Sequence, residues 1–123
     1  MWRLIVPLLA LIGVASARAG CHPSESSKSD LLRATQIVQR LPEAAEWTQG
    51  GYLFDTGQRE KIGSRCYEAV YVFHILPTQD LDLQHVFAVN LLTGRIFVED
   101  VPPADQFISL KEWRARNIRR NEP

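Results

Sequence analysis

A chain of 123 residues with 14 Lys and Arg against 14 Asp and Glu has room for one domain with a modest core. Its balanced charge leaves no basic footprint of the kind that nucleic-acid binding requires. Hydrophobic residues make up 46% of the chain and charged ones 23%, an ordinary globular mix.

The first elements in chain order belong to export. Arg3 supplies a positive start, Leu4 to Ala15 form an apolar run, and small residues follow. Together they read as a secretory signal over residues 1–19. The run is shorter than the ~20 residues of a membrane span, and Pro7 within it interrupts a straight helix. Two processing routes stay open. Ala17-Arg18-Ala19 fits the small-x-small rule and makes Gly20 the first mature residue. A lipoprotein peptidase would instead cut before Cys21 and acylate it, although Arg18 stands where that motif wants an aliphatic residue. The mature chain has a slight acidic excess, because Arg3 and Arg18 leave with the signal.

Cys21 and Cys66 are the two cysteines, and an even count in an exported chain predicts one disulfide. Closing that loop in the unfolded state would contribute about 4 kcal/mol in the chain-entropy model. Residues 20–29, Ser-rich and polar, read as a flexible tether. A single α+β domain is expected over residues 30–123. Its helix is capped by Ser29 or Asp30 and carries an apolar stripe at Leu31, Ala34, Val38, Leu41 and Ala45. Pro42 kinks it or begins a new first turn, and Gln49-Gly50-Gly51 ends it.

Strand-like alternation follows. Residues 51–57 give a short strand, and Arg65 to Leu76 a strong one, rich in aromatic and β-branched side chains. Residues 83–92 and 94–101 form a hairpin around Asn90-Leu91-Leu92-Thr93-Gly94, with Gly94 free to take positive φ and Asn90 able to bond its own turn. If Val89 faces Ile96, Phe87 faces Val98 and all four share one side. One long N-terminal helix laid on an antiparallel sheet of about four strands is the expected architecture, closed by a short C-terminal helix. Arg65 to Leu76 is apolar on both faces. Either it is a central strand whose second face is covered by the termini, or Tyr67, Tyr71, Phe73 and Ile75 form an exposed aromatic surface.

The stretch Phe87 to Asp100, "FAVNLLTGRIFVED", has an apolar strand, Asn90-x-x-Thr93-Gly94 and a second apolar strand. With "LPEAAEW" before it and "SLKEWR" after it, it resembles the PepSY-like and cystatin-like exported bacterial domains. The resemblance implies a helix-on-sheet fold and a non-catalytic role, often binding or inhibiting another envelope protein. It carries over no particular binding residue.

Candidate chemistry is sparse. His74 and His85 lie at similar distances from the turn at residues 78–82 and become neighbours in one register, with Asp80, Asp82 or Asp100 as further ligands. A metal site needs three or four ligands, and no His-x-x-x-His spacing supports one, so no metal or other cofactor is expected. Asp80-x-Asp82 lacks the Gly and distal Glu of a calcium loop. Cys66 with a histidine would make a nucleophile and base, but a disulfide removes the thiol, and no catalytic residue is assigned. Ser109-x-x-Glu112 has capping-box spacing and opens a helix docked by Leu110 and Trp113, with a basic tail at Arg114, Arg116, Arg119 and Arg120. These features predict a non-catalytic periplasmic protein that inhibits, or gives immunity to, a secreted or envelope enzyme. Its protein partner would meet Tyr71, Phe73, His74, Asp80, Asp82 and His85. The alternative is a lipid-anchored component of an envelope assembly such as a secretion system, held to the membrane only through Cys21.

Overall fold

A computed structural model describes residue 21, residues 26–99 and residues 106–121, with the side chains of residues 119–121 left out. The export signal and most of the tether lie outside this range. The first helix, α1 (Lys28–Gln39), starts within the expected tether because Ser27, rather than Ser29 or Asp30, caps it. Ser27 Oγ accepts the Asp30 N–H at 3.1 Å, and the Asp30 carboxylate accepts the Ser27 N–H at 3.4 Å. Two orphan donors of the first turn are satisfied by this reciprocal box.

The expected long N-terminal helix is instead one of 12 residues. Pro42 cannot continue it, and the chain turns into two 3-10 segments, Pro42–Ala45 and Trp47–Gln49, with proline in the first turn. A 3-10 helix has three residues per turn, so the apolar stripe changes phase. Leu41, Ala44 and Trp47 recur at steps of three and pack into the core, whereas Ala45, assigned to the stripe from a continuous α-helix, is exposed.

Six strands rather than about four follow: β1 (Tyr52–Asp55), β2 (Arg59–Ile62), β3 (Arg65–Ile75), β4 (Leu81–Val89), β5 (Ile96–Glu99) and β6 (Phe107–Ser109). The sheet order is β1-β3-β4-β5-β6, with β2 also on β3, and every pairing is antiparallel. β1 lies against residues 71–74 of β3 and β2 against residues 65–68. The two therefore share one lane along the same edge, broken at Thr56-Gly57-Gln58. The β4–β5 hairpin has the expected register, Val89 opposite Ile96 and Phe87 opposite Val98. Asn90 Oδ1 accepts the Leu92 and Thr93 N–H groups at 2.9 and 3.2 Å, and Gly94 sits at φ 74°.

One face of the sheet is sealed. Val70, Val72, Phe87, Val89, Ile96, Val98 and Ile108 point to Ala34 and Val38 of α1, to Ala44 and Trp47, and to Trp113 of α2 (Leu110–Asn121). Each large apolar side chain buried this way contributes roughly 1.5–3 kcal/mol. Ser109 Oγ accepts the Glu112 N–H at 3.1 Å and so caps α2. Arg114 then clamps α2 to the 3-10 segment through two bonds to Glu43, of 2.7 and 3.0 Å. That pairing holds the Glu43 carboxyl below its ordinary range.

Candidate functional site

Cys21 and Ser26 are each tied to β3 at one end of the sheet. Cys21 is bonded to Cys66, with 5.8 Å between Cα atoms. Five residues on, Ser26 Oγ lies 2.7 and 2.9 Å from the two carboxylate oxygens of Glu68, whose other neighbour is Arg59 Nε at 3.2 Å. Glu68 is only 4% exposed, so its charge is matched where water does not reach it, as a buried carboxylate requires. A thiol spent in this bond is neither a nucleophile nor an acyl acceptor. The bond fits an oxidising compartment outside the cytoplasm. Among the described residues no helix is long and apolar enough to cross a membrane. The cleft at this end, about 600 Å³, is lined by Arg33, Arg59 and Arg65, of which Arg59 is paired with Glu68 and Arg33 with Asp30 at 3.6 Å.

The second face of the sheet is built differently. Strand alternation places Tyr67, Ala69, Tyr71 and Phe73 of β3 there, one step out of phase with Val70 and Val72. Register adds Leu53 and Asp55 from β1, Glu60 from β2 and Phe97 from β5. Ala69 and Ala88 are opposed and fully buried in the middle. Around them stand rings: Tyr67 meets Phe97 edge-on at 5.5 Å, and Tyr71 lies nearly parallel to Phe73 at 6.3 Å. The Arg95 guanidinium covers Phe97 at 4.7 Å. Tyr71 and Phe73 are half-buried and Leu53 is 42% exposed.

A groove opens where the β1/β2 lane breaks. Its volume is about 560 Å³ and it is lined by Asp55, Thr56, Gly57, Gln58, Tyr71 and Phe73. Gly57 takes φ 127°, a value that a side chain would resist. The lane rejoins β3 through the Ala69 N–H bonded to the Gln58 carbonyl at 3.1 Å. Tyr71 OH donates to Gln58 Oε1 at 2.8 Å. Burial raises the Tyr71 phenol above its ordinary pKa, and the negative charges of Glu60, Glu99 and Asp55 raise it further.

Of the side chains expected at a partner surface, the structure brings Tyr71 and Phe73 together on the second face, pairs His74 with Asp82 on the other side, and sets Asp80 and His85 apart from both. His74 stands on the helix-covered side, opposite Asp82 and opposite Tyr52, whose ring is 5.0 Å away. Asp80 is at the tip of the β3–β4 hairpin, bonded to Thr78 Oγ1 at 2.9 Å. His85 is opposite Val72 rather than His74, and the register on neither side of the irregularity at Val72/Phe73 pairs the two histidines. It packs against Trp47 at 4.7 Å, Trp113 at 5.7 Å and Phe87 at 6.0 Å. Burial among those rings pushes its pKa down to about 4. Among the described residues no three His, Cys, Asp or Glu side chains gather as metal ligands. In the basic tail, Arg114 and Arg116 bond Glu43 and Glu112, while the side chains of Arg119 and Arg120 lie outside the described residues.

Asp55, Glu60, Leu53 and Phe97 were not legible as one site, since four separate pairings bring them together. The only signal for them was the alternation within each strand. The chain matches no protein-family model, no curated protein and no solved structure.

Proposed function

We propose that this chain is a non-catalytic exported binding protein that meets a protein partner in the cell envelope through the sheet face carrying Tyr71 and Phe73. An inhibitor of, or immunity protein for, a secreted or envelope enzyme is the most concrete form of that role. One observation carries the reading: a single sheet has one face sealed by helices, and on the other Tyr71, Phe73 and Phe97 stay half-open beside the buried Tyr67, Ala69, Val86 and Ala88. A face held by a disulfide-stapled sheet is ordered before it binds, which limits the conformational freedom lost on association. Tyrosine and phenylalanine are enriched at the buried centres of such interfaces. The disulfide weighs against the lipid-anchored alternative, because the Cys21 sulfur it uses is the one acylation would need.

The mature protein serves as bait in native envelope extract, beside a Tyr71→Ala/Phe73→Ala variant and a Leu92→Ser control at the hairpin tip, where Leu92 is 95% exposed. One stoichiometric partner, retained at moderate salt by the wild type and the control and lost by the double variant, is the expected result. A partner held equally by all three overturns the assignment of the face.

A further inference from the structure

We propose that the groove beside Asp55 and Tyr71 receives a cationic side chain, an arginine or lysine projecting from the protein partner. The inference rests on the binding-face reading above and names the chemistry that the face selects. None of the groove's lining side chains carries positive charge, and Asp55 at its wall is exposed. Asp55 Oδ1 accepts the Thr56 N–H at 2.9 Å, which fixes the carboxylate in place and leaves Oδ2 for an incoming donor. Directly across the pair stands Tyr71, with Phe73 next to it on the same side of β3. A guanidinium entering between the carboxylate and the ring meets a charge partner and a π face together.

The sign of the surrounding field agrees. Glu60 and Glu99 act on Tyr71 in the same direction as Asp55, so an anion entering the groove would be repelled. A purely apolar group would strip water from Asp55 without replacing its bonds, which is unfavourable. The face already shows the preference in its own sequence, where Arg95 lies over Phe97.

The test titrates isotope-labelled mature protein, followed by NMR, with N-acetyl-arginine amide and with its neutral isostere N-acetyl-citrulline amide. The expected result is saturable shifts at Asp55 to Gln58 and in the rings of Tyr71 and Phe73 with the arginine probe. Affinity should fall about tenfold in Asp55→Asn, the equivalent of ~1.4 kcal/mol, and should weaken with added salt. The Asp55→Asn change keeps the side-chain shape and the bond to Thr56, and unchanged β4–β5 hairpin resonances verify the fold. Equal binding of the citrulline probe, an Asp55→Asn affinity within about twofold of wild type, or no saturable shift overturns the proposal. If the probe fails while Tyr71→Ala/Phe73→Ala still abolishes partner capture, the groove is wrong and the binding face stands. If that double variant captures the partner normally, the face itself is wrong.

Discussion

On one side of the sheet Phe87 and Val98 are 0% exposed; on the other, carried by the same strands and one residue out of step, Phe97 and Tyr71 keep part of their rings in water. Apolar side chains alternate in fate along β5 and over Val70 to Phe73 of β3, whereas the middle of the second face, Tyr67, Ala69, Val86 and Ala88, is buried as well. The covered set is removed from solvent by α1, α2 and the 3-10 segments and supplies folding free energy in proportion to the area buried. The half-open set contributes less to folding and keeps area that a partner can bury. A strand that is apolar on both faces can therefore hold a core with one face and offer a surface with the other.

The disulfide anchors the covered side, so breaking it is the largest perturbation expected to leave the open face intact. A Cys21→Ser/Cys66→Ser protein should lose about 4 kcal/mol in urea denaturation, from the freedom restored to the unfolded loop. Native protein should show an intact mass two hydrogens below the reduced chain. Unchanged stability would mean that the Cys21–Cys66 crosslink is not part of what holds the sheet closed.

Acid distinguishes the faces next. His85 on the covered side is held neutral, with a folded pKa of about 4 against an ordinary 6.5. The unfolded chain binds the extra proton between those values, so stability is fully present above pH 6.5 and declines as pH falls toward 4. The loss should reach roughly 2–3 kcal/mol. Urea denaturation at a series of pH values measures it, and His85→Phe, which keeps a ring among Trp47, Phe87 and Trp113, should flatten the curve in that window. A persistent slope in His85→Phe would place the titrating group elsewhere.

Local chemistry was legible in the sequence where one short segment decides it. The β4–β5 register follows from Phe87, Val89, Ile96, Val98 and a turn whose Asn90 and Gly94 have a single conformational use. Two cysteines leave one pairing, and Pro42 marks the end of a helix. β2 was missed because Arg59, Glu60 and Lys61 show no apolar alternation, and its pairing is a matter of backbone bonds to β3. The three residues of β6 are too few to show a period. His85 read as a sheet-surface residue because Trp47 and Trp113, which enclose it, are far away in the chain. The groove at Asp55 was invisible for the same reason: it exists only once β1 and β3 are paired.

Urea denaturation of Phe87→Ala beside Phe73→Ala, followed by tryptophan fluorescence, separates the contributions of the two faces. Phe87→Ala should lose roughly 3–5 kcal/mol, because it leaves a cavity under α2 and Trp47, and Phe73→Ala about 1 kcal/mol or less. Comparable losses for the two would mean that the Tyr71–Phe73 face is a second core rather than a surface held ready for a partner.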